Sequence, residues 1–546
     1  MNKMLVVLAL VGMLDLAGAA MAQPVSLPSA AASDPLALGW MQGFPPPADR
    51  LIRGTDADAF SFPKLRWSAC HVRQLMPTVA VGRGDEAVRE LPLALDAALG
   101  GLRFIPQGGG APMSLDEAFD ATYGDGLLVL HHGRIVYERY AGCLGRDGLH
   151  ATMSITKSLT GLLGEMLIVE GVLDEGALVG DLIPELRNSG FGDASVRQVL
   201  DMSTALDFSE DYSNPKADIW AYARAGSALP AAGGKAPIGY LAYLQGVKKK
   251  GEHGEAFAYR TVNSDVLGWL IARSTGKPVN EVLAERIWSR LGAEREAFYT
   301  VDSLGTPYAG GGFNATLRDL GRLGQLLLDG GQLDGRQLIP PEAVARLTLG
   351  GDRGQFARAG LQLPGWSYAA MWWHTHDAHR AYTARGVHGQ TIWIDPQADM
   401  VIVRLASHPQ AANAANDAIS LAVWRAVADH LLAHDPAPLL GREWVVEDIA
   451  GGGVIDNSRT SLHFSADGRL SGSASCNRFI GRYEARDGTL HIDGQLGSTM
   501  MMCPEALMNQ ERRLLDLLPR LDRYRIDDTG ALVLGTPDGD AVKARR

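Results

Sequence analysis

The chain has 546 residues, 46% of them hydrophobic and 21% charged, with a formal net charge of -11. A length of this order allows two to four domains at roughly 150 residues each, and the composition is that of a globular protein with a large core. The acidic balance argues against a nucleic-acid partner, which favours a basic surface.

Taken in chain order, the first segment reads as a secretory signal. Lys3 precedes an apolar run from Met4 to Leu14, and Ala20-Met21-Ala22 fits the small-x-small cleavage rule. The pattern predicts export, periplasmic or secreted, with a mature chain starting at Gln23. The run is too short to span a bilayer, and no later stretch of the mature chain reaches ~18 uninterrupted apolar residues. Residues 23–65 are rich in Pro, Ala and Gly and read as a loose lead-in.

Leu127–Leu130, the turn at His132-Gly133 and Ile135–Tyr140 predict a β-hairpin. Ser154 opens a helix with an apolar face from Leu159 to Leu167, stopped at Gly171. Helices and loops follow for some 200 residues. A second hairpin is predicted around Asp395-Pro396, then a helix from Ala415 to Leu432. Strands early and late with helices between predict one sheet built from both chain ends. A Pro-containing linker, residues 434–441, separates the domain at 66–433 from a module at 442–546 of short β-like segments and Gly turns.

A serine hydroxyl needs a base within hydrogen-bond reach to act as a nucleophile. A lysine three residues on along a helix shares the serine's face, and can serve if burial lowers its pKa. The chain holds this S-x-x-K spacing at Ser154-Lys157, Ser213-Lys216 and Ser274-Lys277. Only Ser154 starts a helix that leads into a buried run, where the helix N-terminus favours developing negative charge. The bland alternative is a plain N-cap serine.

The stretches "HATMSITKSLTGLLGEMLIVEGVLD", "VRQVLDMSTALDFSEDY", "FAYRTVNSDVLGWLIARSTGKP", "YAGGGFNATLRDLGRLGQLLLDGG" and "GVHGQTIWIDP" resemble the serine β-lactamase-related hydrolases. Within them the resemblance is to the 6-aminohexanoate-dimer (nylon-oligomer) hydrolase group, over roughly residues 60–430. It implies an α/β three-layer fold, a central antiparallel sheet flanked by helices. It also implies Ser154 as nucleophile, Lys157 as base and Tyr259 as proton relay, with the Ser154 and Val387 N–H groups as oxyanion donors. Tyr212, Thr261, Gly386, His388 and Trp373 are the implied substrate contacts. Thr261 stands where the family has asparagine, and Ala384-Arg385-Gly386 replaces the Lys-Thr-Gly strand. Alternation along a strand puts Ala384 and Gly386 on one face and Arg385 on the other.

The expected activity is hydrolysis of small amides or esters through an acyl-enzyme. The alternatives are a D-alanyl peptidase or β-lactamase, and a catalytically silent penicillin-binding-like receptor. No cofactor or metal is expected; His374, His376 and His379 lack a recognisable zinc spacing. Residues 442–544 resemble a META (HslJ-like) domain, which implies a small β-rich α+β fold; Cys476 and Cys503 both lie in this module, and a disulfide between them across it is one possibility. Pairing of Cys70 with Cys143 is left open.

Overall fold

The computed structural model describes residues 27–226, 238–433, 439–440, 443–456, 458–465, 468–486, 488–527 and 529–545. The expected signal segment and most of the linker lie outside these residues.

The hydrolase region is organised on a seven-stranded antiparallel sheet. Its strands are β1 (Gly124–His131), β2 (Arg134–Tyr140), β3 (Ser367–Ala369), β4 (Trp372–His374), β5 (Tyr382–Gly386), β6 (Gln390–Asp395) and β7 (Met400–Ala406). Their order is β3-β4-β5-β6-β7-β1-β2, so the late strand β7 lies beside the early strand β1. Both predicted hairpins form. The first turns through positive φ at His132 and Gly133, which a two-residue hairpin loop requires.

One face of the sheet carries helices α1 (Ile155–Val169), α2 (Val262–Thr275) and α3 (Leu317–Leu328), with α1 packed on β4–β6 and α2 packed on α1. Gly321 and Gly324 of α3 press against Leu128 and Val401, where a Cβ would stand only 2.5 Å from either side chain. The other face carries α4 (Ala414–Ala433), from which Ser420 accepts the guanidinium of Arg404 on β7. This gives the three-layer α/β architecture.

Two local devices fix the start of α1. Gly161 lets the turn after β3 approach so closely that a Cβ would sit 2.0 Å from the Ala370 carbonyl oxygen. A small second sheet pairs His150–Ala151 with Asn314–Ala315, and the Thr152 N–H and hydroxyl both donate to the Phe313 carbonyl.

The C-terminal region corrects the expectation of a generic small α+β module. Among the described residues, eight strands between Glu443 and Arg545 form a closed barrel, sealed where Arg469–Ser473 pairs with Arg478–Arg482, and the short strand Gly497–Ser498 adds to the strand Arg478–Arg486. One helix, Glu505–Leu517, packs on it. Its core is separate and centres on Trp444, Phe464, Leu470, Phe479 and Leu534. Cys476 and Cys503 form a disulfide across this module with Cα atoms 5.9 Å apart, and Cys70 and Cys143 form a second, at the same separation, in the hydrolase region.

Candidate active site

Ser154 stands at the N-terminus of α1 but does not cap it. A capping serine gives its oxygen to an N–H of the first turn; here no such bond exists, and Ser154 Oγ instead accepts from Lys157 Nζ at 2.9 Å. Met153 holds φ at 49°, an uncommon conformation for a non-glycine residue and one that concentrates at functional sites. The other two S-x-x-K copies form no such pair: Ser213 donates to Asp211, and Lys277 is bound to Glu285.

Lys157 is 1% exposed. Its ammonium group donates also to the Gly310 carbonyl at 2.5 Å and lies 5.3 Å from the ring centroid of Tyr259. Burial pulls its pKa below the usual lysine value, against the opposing pull of Glu210 and Asp265. Tyr259 directs its hydroxyl at Ser154; burial, and then the Glu210 charge, keep this phenol protonated. A phenol in that state can accept one proton while giving up another, which suits a relay and not a standing base.

Gly386 ends β5 beside the nucleophile turn, where a Cβ would stand 2.6 Å from the Thr152 carbonyl oxygen. The following N–H, of Val387, is thus brought next to the Ser154 turn. His388 follows with φ at 65°. Among the described residues neither the Ser154 nor the Val387 N–H donates to a backbone carbonyl outside the regular elements. Two backbone donors flanking a serine hydroxyl can hold an oxyanion.

The remaining candidates fall into two groups. Trp373 stacks on Tyr259 with centroids 5.6 Å apart and continues into a wall with Phe257, Phe356 and Tyr368. Tyr212, half-buried, packs edge-on to Trp220 and donates to Glu210. Thr261 and His388 are engaged elsewhere. Thr261 is fully buried and gives both its N–H and its hydroxyl to Glu210, each at 2.5 Å. His388 Nδ1 donates to the His408 carbonyl at 2.7 Å. Arg385 takes the opposite face of β5 from Ala384 and Gly386, is ion-paired with Asp417 of α4, and lies between Trp366 and Trp373. Its charge is therefore already partnered.

Residue-type reasoning missed Glu210, Gly310 and Asp265. Glu210 stood within the "SEDY" segment two residues from Tyr212, but no spacing rule marks it. The three histidines from His374 to His379 do not converge: His376 bonds Ser367, His379 bonds Asp395, and burial lowers the pKa of His374 to about 3. The group with metal-like proximity among the described residues is Cys70, Cys143 and His150, and its two cysteines are bonded to each other.

Residues 114–426 match the β-lactamase family model. The chain belongs to the β-lactamase family. The 6-aminohexanoate-dimer hydrolase of Paenarthrobacter ureafaciens is 33% identical over 389 residues, covering 71% of this chain and 91% of that protein. A solved structure of a proposed 6-aminohexanoate-dimer hydrolase from Bacillus anthracis is 29% identical with a TM-score of 0.65, covering 71% of this chain and 98% of the other. Residues 437–546 match the META domain model. The β-lactamase-family region is thus a serine hydrolase related to the 6-aminohexanoate-dimer hydrolases. No helix among the described residues is long and apolar enough to cross a membrane.

Proposed function

We propose that this β-lactamase-family protein hydrolyses short linear amides and esters through an acyl-enzyme on Ser154. The observation that carries the reading is the 2.9 Å contact of Lys157 Nζ with Ser154 Oγ, made by a buried lysine whose neutral form burial favours. Neutral Lys157 takes the Ser154 proton as Oγ attacks the carbonyl carbon. The carbonyl electron pair moves to oxygen, which the Ser154 and Val387 N–H groups receive. The tetrahedral adduct collapses, and Tyr259 delivers its proton to the leaving amine or alcohol while taking up the one held by Lys157, which restores the neutral amine; water then repeats the sequence on the acyl-enzyme.

The substrate class rests on the 6-aminohexanoate-dimer hydrolases among its relatives and on the site itself. The aromatic wall of Trp373, Phe257 and Phe356 suits a methylene chain. On β5 the triplet Ala384-Arg385-Gly386 has no lysine or threonine to grip a β-lactam carboxylate, the buried Thr383 hydroxyl is spent on the Ile392 carbonyl, and the guanidinium of Arg385 is held by Asp417. Penicillins and cephalosporins should therefore be turned over poorly. The same proposal places the enzyme in an exported, oxidising compartment, a reading supported by the N-terminal pattern and by the two disulfides.

The test is a fluorophosphonate label combined with a substrate panel. Wild type should be labelled and should favour p-nitrophenyl esters and short linear amides over nitrocefin. Ser154→Ala should keep its circular dichroism spectrum and lose the label completely. A folded Ser154→Ala variant that still labels, or nitrocefin turnover matching the best ester, would overturn the assignment.

A further inference from the structure

Asp265 lies in the first turn of α2 and is 3% exposed; its carboxylate faces the Ala309 and Gly310 N–H groups and the Tyr222 hydroxyl, yet neither oxygen has a well-formed hydrogen bond. A buried charge without a partner is costly, so a carboxylate kept in such a place needs a counter-charge nearby. The residue between it and the base is Gly310. The Gly310 carbonyl accepts Lys157 Nζ, and a Cβ on Gly310 would come within 3.0 Å of Asp265 Oδ2 and 2.5 Å of Thr261 Cγ2. Glycine is what lets the acid and the base close on the same peptide from its two sides.

Other charged and titratable groups around this pair are accounted for. Glu210 faces Lys157 from the loop between Asp207 and Asp218 and is held by Thr261 and Tyr212. Tyr259 lies over the amine, and Arg385 beyond it is paired with Asp417. The Tyr222 hydroxyl faces Asp265 without a well-formed bond, and the Tyr240 and Tyr308 rings stack behind it. Arg197 and Arg346, at the far end of α1, are taken by Glu165.

We infer that Asp265 is a positioning residue for the base: its carboxylate is the resident counter-ion of the ammonium that forms when Lys157 takes the Ser154 proton. The inference rests on Lys157 being the base. The directions of titration agree with it, since burial raises the Asp265 pKa and lowers that of Lys157 while each charge opposes the effect on the other. Removing the carboxylate leaves the amine easier to deprotonate and a weaker acceptor in the transition state. Activity requires the neutral amine, so the acid limb of the rate must move to lower pH as the plateau falls.

The experiment is the pH dependence of Ser154 labelling by the fluorophosphonate, with KM for a small ester measured in parallel on the full chain. Asp265→Asn should shift the acid limb down by about one pH unit or more and lower the plateau on the order of tenfold, with KM little changed. Tyr222→Phe removes the donor that favours the Asp265 carboxylate, and should shift the limb in the same direction by less. A structural defect alone would lower the plateau and leave the limb in place; that result in Asp265→Asn overturns the inference. If Asp265→Asn does not fold, an unmoved limb in Tyr222→Phe overturns it. Wild type that shows no labelling, or labelling with no acid limb, would instead defeat the reading of Lys157 as base.

Discussion

Lys157→Arg is expected to fold and to lose about 10³-fold or more in kcat/KM. A guanidinium stays protonated under all working conditions, so it cannot accept the Ser154 proton, whereas a buried lysine can. The site exploits this difference. Lys157 is almost fully buried, gives two hydrogen bonds to Ser154 and Gly310, and sits against the face of Tyr259, with desolvation disfavouring its charge. Positive charge would be retained in the variant, so a merely electrostatic role for the lysine would survive. Steady-state turnover of a p-nitrophenyl ester decides between the two. Activity within tenfold of wild type would remove Lys157 from the role of base.

Asp125→Ala should destabilise the hydrolase region by about 3–5 kcal/mol, because breaking a buried ion pair leaves its partner charged in the interior. Asp125 is completely buried on β1. It pairs with Arg66 at 3.2 Å and with the His150 ring at 3.3 Å, and accepts the Ser407 hydroxyl at 2.6 Å. The Arg66 Nε and Nη1 atoms have no hydrogen-bond partner among the described residues. One carboxylate therefore joins the start of the hydrolase domain, the strand β1, the residue four before Ser154 and the residue after β7. Thermal or urea unfolding followed by circular dichroism reads the effect, and a midpoint equal to that of wild type would contradict it.

Much of the hydrolase fold was legible because its signals are local. His132-Gly133 and Asp395-Pro396 announced their hairpins, and the apolar face from Leu159 to Leu167 announced α1. Strict alternation gave the facing of β5: Arg385 does point away from Ala384 and Gly386, though which residue would neutralise it required Asp417 of α4 to be seen in place. The barrel was not legible. Its strands and Gly turns were, but its shape depends on Val445–Ile449 pairing with Val542–Arg545 at the opposite end of the module, and no short-range pattern encodes that register. Asp265 was hidden for a related reason. On a sequence it is one acid in a helix, and only the close approach permitted by Gly310 gives it a relation to Lys157.

The adjacency of β7 to β1 has a consequence for how the enzyme comes into being. The strand that must lie beside β1 is the last of the sheet to be synthesised, and contacts between distant parts of a chain form slowly. Val387, on the loop after β5, also arrives late. A nascent or truncated chain ending before residue 387 holds Ser154 and Lys157 yet lacks the proposed oxyanion donor of Val387, the strand β6 on which α1 also packs, and β7. On the proposed mechanism hydrolytic competence needs the chain through β7, and fragments ending before residue 387 are expected to be inert instead of weakly active.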